Sequence, residues 1–175
     1  MRRRRIRDCL AHFTSVPCQA SNATNREDLT SLMRHKQLSQ QPKTFALILD
    51  TGDEIAETLK RFATEQKLAG SSFKAIGALS FVKLGWFDWK SKKYSVAVEL
   101  DEQVELLSLI GDVALKDHEP QMHAHVVVGR SDGTAHGGHL LQARVRPTCE
   151  LILTENPQNM QKEFDKDSGI ALIRF

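Results

Sequence analysis

Hydrophobic and polar positions along the chain follow two periods, first that of a helix and then that of strands. The apolar run TFALILD, residues 44–50, is bounded by polar residues and predicts a buried strand. Thr51 and Glu54 have the spacing of a helix capping box, and Gly70 is a predicted helix end. Between them apolar side chains recur at helical spacing: Ile55, Leu59, Phe62 and Ala63.

After this helix the pattern changes to short apolar or alternating segments separated by polar turns, which predict strands. Only residues 155–169 have a composition that suits another helical turn. The sequence therefore predicts an α+β fold, in which one main helix near the start packs on a mostly antiparallel sheet in a single compact domain. The predicted strands are 72–80, 81–89, 93–101, 104–115, 122–130, 139–145, 149–155 and 170–175.

Residues 1–42 show no sustained period and are rich in Ser, Thr, Asn and Gln. They predict a basic, flexible extension that precedes a domain at 43–175. Arg2–Arg5 resemble the start of a secretory signal, but charged and polar residues interrupt the apolar segment that should follow, so we exclude that reading. Met33 is an alternative start of translation, in which case residues 1–32 would not be made.

Charge is divided unevenly between these two segments. Residues 1–42 carry eight Lys or Arg against three acids, whereas residues 43–175 carry 16 against 19. Binding to nucleic-acid phosphates needs a basic surface. Composition therefore gives the predicted domain little support for DNA binding, and the arginine run is either a non-specific nucleic-acid contact or a plain solvated tail.

The three cysteines and the hydropathy pattern limit the class of protein. Cys9, Cys18 and Cys149 are an odd number at no recurring spacing and form no CxxC pair, which argues against a disulfide framework and against a thiolate zinc site. No apolar run approaches the ~18–20 residues of a membrane helix. We expect a protein of a reducing compartment, the cytoplasm.

Four of the seven histidines lie in the stretch MHAHVVVGRSDGTAHGGHLLQ, residues 122–142. Side chains two residues apart leave a strand on the same face, so His123 and His125 should project together. The turn at SDG then allows the chain to double back and bring His139 beside them. Imidazoles suit zinc and other late first-row metals, and three ligands with one open position are typical of a catalytic site.

Two other interpretations of the histidines stand beside the metal site. An isolated HxH pair on a strand is commonly a surface or hydrogen-bonded pair without an ion. His136 has an odd spacing from His139, so it should face the other way, as a bystander or as a group that supports a ligand. A cupin would need a glutamate where Gly129 and Arg130 stand, and we exclude it.

The segments VELLSLIGDVAL, HAHVVVGRSDGTAHGGHL and VRPTCELILTE together resemble the PPC domain, the "plants and prokaryotes conserved" module, over about residues 43–175. The resemblance implies a compact domain with a mostly antiparallel sheet that assembles as a homotrimer. In bacterial and archaeal members three histidines form a metal-binding set, which implies ligands at His123, His125 and His139 and a divalent ion, for which we expect zinc.

The family is associated with DNA because plant members carry the domain beside AT-hook motifs, whose core is Arg-Gly-Arg-Pro. The run RRRRIRD lacks both the glycine and the proline, so the DNA-binding label of many bacterial relatives has weak support here.

Two functional hypotheses follow. The first is a trimeric metal-binding PPC module that associates with DNA or has a regulatory role; the second is a zinc-dependent enzyme that acts on a small molecule. Glu150 resembles a recurring acid of the family and is the candidate catalytic base, although a structural role explains it equally well. Trp86, Phe87 and Trp89 are more readily explained by packing or a subunit contact than by base stacking.

Overall fold

The computed structural model describes residues 34–40 and 42–174, which form nine strands and one helix. In chain order these are β1 (Arg34–Gln40), β2 (Lys43–Asp50), α1 (Ile55–Glu65), β3 (Gly70–Asp88), β4 (Lys93–Leu100), β5 (Val104–Lys116), β6 (Glu119–Gly129), β7 (Ala135–Glu155), β8 (Gln161–Phe164) and β9 (Ala171–Arg174). The predicted single domain with one helix on a largely antiparallel sheet is confirmed. The helix has only 11 residues, so the described part of the chain is mainly β, and α+β overstates its helical share.

All strands belong to one sheet, in which the order β1-β2-β7-β3-β5-β8-β9 is extended by β4 beside β3 and by β6 between β5 and β7. The pairings β3–β5, β5–β6, β6–β7 and β7–β3 return to their starting strand, so this part of the sheet closes on itself. Every pair is antiparallel except the short parallel contact of β5 with β8 at Leu115 and Gln161. The sheet is therefore mixed.

Two strands are longer than the sequence predicted. β3 has 19 residues and joins the predicted strands 72–80 and 81–89, and β7 has 21 residues and joins 139–145 and 149–155. Each long strand changes neighbours along its length: β7 pairs with β6 at one end and with β2 at the other. Because β3 and β7 pair with each other through register shifts rather than breaks, the irregular positions bend the strands without ending them.

Helix α1 confirms the apolar spacing, since Ile55, Leu59, Phe62 and Ala63 are all buried. Its start differs from the predicted capping box at Thr51. The N-cap is Glu54, whose carboxylate accepts a hydrogen bond from the Glu57 backbone at 2.8 Å. Thr51 lies in the turn before the helix and donates its hydroxyl to the Pro147 carbonyl at 3.0 Å, so it has no capping role.

The helix also ends earlier than Gly70. Lys67 adopts a positive φ of 55°, and the Leu68 backbone N–H donates to the Ala63 carbonyl at 2.8 Å, a pattern that closes a helix. Gly70 is instead the first residue of β3, packed so closely that a Cβ atom there would lie 2.6 Å from the Gln158 carbonyl oxygen.

Differences from prediction also appear at the two ends. Residues 155–169, which suit a helical turn by composition, contain β8, and β8 forms a hairpin with β9. β1 lies within the segment predicted as an extension and pairs with β2, whereas residues 1–33 lie outside the described residues, as do Cys9 and Cys18.

Cys149 is buried as a free thiol, and burial raises its pKa to about 12. No helix among residues 34–40 and 42–174 is long and apolar enough to cross a membrane.

Candidate metal centre

The histidine pair on β6 follows the alternation of a strand. Ala124 and Val126 are buried in the core, whereas His123 and His125 are exposed on the opposite face. The turn after β6 is closed by a hydrogen bond from the Arg130 backbone to the Thr134 carbonyl at 2.8 Å. The chain then returns as β7, which pairs antiparallel with β6 from His125 to Gly129, whereas His123 lies beyond this pairing.

His139 lies directly opposite His125 in the register of β6 and β7. The structure therefore brings the three predicted histidines together. One ring nitrogen from each of His123, His125 and His139 lies within 4.8 Å of the others. The ring centroids are 5.2–5.4 Å apart, and His125 stands nearly edge-on to both of its neighbours.

The environment keeps two of these imidazoles neutral. Burial, followed by the nearby His123, His125 and Lys162, lowers the pKa of His139 to about 4. Burial and then His123 also lower the pKa of His125. A metal binds only the unprotonated imidazole, so at neutral pH protons compete weakly with an ion at His139.

An unpartnered nitrogen of His139 is a second feature that suits a metal ion. The Nδ1 atom of His139 is buried and has no hydrogen-bond partner among the described residues. A buried polar nitrogen without a partner costs about 1–3 kcal/mol, and a metal or a ligand near the site would remove that cost. Three imidazole nitrogens on one face suit zinc and leave a coordination position for another ligand.

A network of charged and polar side chains extends from His123 to Lys162 on β8. The Nδ1 atom of His123 lies 3.6 Å from Oδ2 of Asp112 on β5, and Oδ1 of Asp112 lies 3.1 Å from Nζ of Lys162 on β8. Burial opposes the ionisation of Asp112, but its contacts with His123 and Lys162 outweigh this and lower its pKa. A carboxylate at one ring nitrogen orients the imidazole and directs the other nitrogen towards a metal.

His139 is fixed from the other side by Tyr94 of β4. The two rings stack with centroids 4.1 Å apart and an interplanar angle of 24°. The backbone before His139 also lies close to β3, because a Cβ atom at Gly138 would stand 2.9 Å from the Gly85 carbonyl oxygen. The paired glycines thus differ: a Cβ atom at Gly137 would meet only ordinary contacts, the nearest at 3.4 Å.

The other predicted site residues lie elsewhere. His136 pairs with the buried Val128, on the opposite face of β7 from His139, and is not part of the histidine cluster. Glu150 is exposed and lines a separate depression with Ile76 and Leu107. The structure therefore does not bring Glu150 to the histidines.

Residues 37–157 match the model of the Plants and Prokaryotes Conserved (PCC) domain, the domain abbreviated PPC above. The chain belongs to the PPC family. The matched residues include β2 to β7 and all three histidines, so the PPC domain holds the whole cluster. No curated protein sequence matches the chain.

Solved structures share the PPC fold. A PPC protein from Pyrococcus horikoshii is 31% identical, with a TM-score of 0.71 over 83% of this chain and 96% of its own. A metal-containing protein from Archaeoglobus fulgidus is 31% identical, with a TM-score of 0.70 over 83% of this chain and 99% of its own. A candidate DNA-binding protein from Bacteroides thetaiotaomicron is 26% identical, with a TM-score of 0.77 over 83% and 99%.

Sequence reasoning found the three histidines but missed Asp112, Tyr94 and Lys162. Asp112 stands in a mostly apolar strand segment, VELLSLIGDVAL, and a second acid there, besides Glu105, is the one signal that could have been used. Tyr94 and Lys162 come from segments whose sequence gives no indication that they approach the site.

Proposed function

We propose that this protein is a metal-binding PPC module in which His123, His125 and His139 hold one divalent ion, zinc. The convergence of the three ring nitrogens within 4.8 Å carries the proposal. The neutral imidazoles and the network through Asp112 support it. When bound, the ion would supply a Lewis acid with a position open to one further ligand.

Elemental analysis of the purified protein tests this proposal. About one zinc ion per chain is expected after dialysis against metal-free buffer, because three imidazoles on a fixed sheet are preorganised for binding. The same preparation treated with a chelator is expected to take up one equivalent again. A protein that holds no ion after incubation with excess zinc would contradict the metal site.

We further propose that the chain forms a homotrimer through the outer face of its sheet. Several large apolar side chains are exposed there, including Ile76 at 61%, Ile110 at 58% and Leu107 at 52% of their full area. They line a shallow depression of about 550 Å³ together with Ile48 and Ile152. A contiguous apolar surface of this kind is characteristic of a protein–protein contact. The number of subunits rests on the family resemblance.

Contact with DNA, which the name of the similar Bacteroides thetaiotaomicron protein suggests, is proposed to come from the basic amino-terminal segment and not from the folded domain. Residues 43–175 carry three more acids than Lys and Arg, with 19 against 16. Arg2–Arg5 and Arg7 supply five of the eight basic side chains before residue 43. Arginine contacts to phosphates position a protein on DNA but read no base sequence.

Replacement of these five arginines with serine in the full chain is expected to remove most of the DNA affinity. Each phosphate contact contributes about 0.9 to the slope of log affinity against log salt, so the slope should fall by up to about 4–5. Titration of both proteins against two unrelated duplexes at low and near-physiological salt measures this. Sequence-selective binding that survives the replacement would show that the folded domain reads DNA.

A zinc-dependent enzyme acting on a small molecule is the second candidate function. The observation in its favour is a cavity of about 500 Å³ that reaches His123 and His139, within the ~300–1,000 Å³ range of small-molecule sites. Turnover distinguishes the two candidates, because a binding module would hold a ligand there unchanged.

A further inference from the structure

The hairpin formed by β8 and β9 lies beyond residue 157, where the match to the family model ends. It is attached to the sheet by defined contacts. The Leu115 backbone N–H donates to the Met160 carbonyl at 2.9 Å, and Lys162 Nζ donates to the Gln121 carbonyl at 3.2 Å. Lys162 also contacts Asp112, whose other oxygen faces His123. The hairpin is therefore held against the strands that carry the histidines.

The hairpin is also ordered within itself. The Asp165 carboxylate accepts hydrogen bonds from the backbone and the hydroxyl of Ser168, at 2.8 and 2.7 Å, and from Arg174 at 2.7 Å. Gly169 has a positive φ of 75°, which suits the tight turn between the two strands. Such a turn presents β8 and β9 as a defined wall.

This wall and the histidines enclose the cavity of about 500 Å³. His123, His139 and the stacked Tyr94 line it. The hairpin contributes Phe164 and residues 169–173 to the same lining. The pocket is therefore built from the proposed metal site and from a segment outside the matched domain.

The lining residues indicate the chemistry of a ligand. They include two lysines, Lys116 and Lys162, and no aspartate or glutamate. Asp112, just behind the lining, balances Lys162, so Lys116 and a bound divalent ion leave the pocket positive. Positive potential in a cleft attracts an anion. A carboxylate is a small anion that both a zinc ion and a lysine accept, and unlike inorganic phosphate it can carry an apolar chain.

The pocket is also partly apolar. Met122, Phe164, Leu172 and Ile173 all line it. Phe164 is 67% and Leu172 37% exposed, so both have apolar area that a ligand could cover. A ligand that satisfied both features would have an anionic head near the metal and an apolar portion along the hairpin.

We propose that this pocket binds a small organic carboxylate, whose charged group takes the open position on the metal and whose apolar part lies against Phe164 and Leu172. The proposal rests on the metal site of the preceding section and assigns a ligand class to it. Lys116 favours the anion through its charge, and the hairpin selects for the apolar portion.

The test uses the full chain loaded with Co²⁺, whose visible absorption reports the ligands of the ion. The protein is titrated with acetate, butyrate and hexanoate, and with hexanamide as the uncharged control. Affinity, measured by the spectrum and by calorimetry, is expected to rise about fourfold for each methylene that becomes buried, hence by at least about tenfold from acetate to hexanoate. Hexanamide should leave the cobalt spectrum unchanged.

Two variants separate the wall from the charge. The double substitution Phe164→Ser and Leu172→Ser is expected to abolish the dependence on chain length while acetate binds as before. Lys116→Gln should weaken all three carboxylates by a similar, salt-dependent factor and keep the dependence on length. Val96→Ser, a change at a residue that is 54% exposed and does not line the pocket, is the matched control and should alter neither property.

The outcomes distinguish the proposed carboxylate pocket from the proposed metal site on which it rests. A chain that takes up no cobalt would overturn both. A chain that binds cobalt but shows no spectral response to carboxylates would overturn the pocket alone. Equal affinities for acetate and hexanoate would show that the hairpin is not part of the binding site. That result would also overturn the proposed pocket. If the double variant does not fold, the length series and Lys116→Gln still decide the question.

Discussion

Replacement of His139 with alanine is expected to lower zinc affinity by more than about a hundredfold. Loss of a residue that merely supports a ligand commonly costs 10- to 100-fold, and loss of a ligand should cost more. His139 is also the histidine that belongs to a second strand, so without it the site reduces to the two β6 histidines. Competition with a chromophoric chelator gives the affinity, and the elemental content gives the stoichiometry.

His136→Ala is the matched control, because it removes a histidine three residues away on the opposite face of β7. It should keep one zinc ion at the affinity of the unchanged protein. Circular dichroism of both variants checks that the sheet has formed. Equal loss of zinc in the two variants would mean that β7 histidines act through folding, and undiminished binding by His139→Ala would remove the residue from the site.

Substitution of Ile76 and Ile110 by lysine is expected to convert the proposed homotrimer into monomers at micromolar concentrations. A buried unpaired charge costs several kcal/mol, and each subunit of a symmetric assembly would carry two of them. Both positions are exposed in the single chain, so the monomer itself should lose little stability. Light scattering coupled to size exclusion measures the mass, with three chains expected before the change.

The tryptophan region provides the alternative contact that the sequence suggested. Trp86 and Trp89 are 69% and 63% exposed, and their replacement by lysine makes a comparable change elsewhere on the surface. Dissociation by the tryptophan variant alone would place the contact there. If the unsubstituted protein itself has the mass of one chain, the homotrimer is contradicted.

The histidine cluster could be predicted because its geometry is local. The alternation of a strand places His123 and His125 on one face, and a single tight turn sets the register that brings His139 opposite His125. Nothing in this inference depends on residues further away in the chain. The buried face of α1 was predictable for the same reason, since a helical period is read within one segment.

The remainder of the site depends on tertiary pairing that a single sequence does not encode visibly. Asp112 reaches His123 because β5 and β6 pair in one register, and Lys162 reaches Asp112 because β8 joins the far side of β5. The helix cap was mispredicted for a related reason. Glu54 also accepts a hydrogen bond from the Ala143 backbone at 3.0 Å, a contact that favours it over Thr51 and spans 89 positions.

The position of β2 in the sheet has a consequence for how the chain reaches its native state. β2 pairs along its length with β7, so that Ile48 lies opposite Glu150. The paired residues are about a hundred positions apart in the sequence. Such non-local pairings lose the entropy of closing a large loop before their contacts contribute favourable free energy. Domains rich in them fold in milliseconds to seconds. During synthesis β2 therefore cannot pair with β7 until almost the entire chain has left the ribosome. Until then the apolar segment TFALILD lacks its β7 neighbour, and its unpaired edge is open to aggregation.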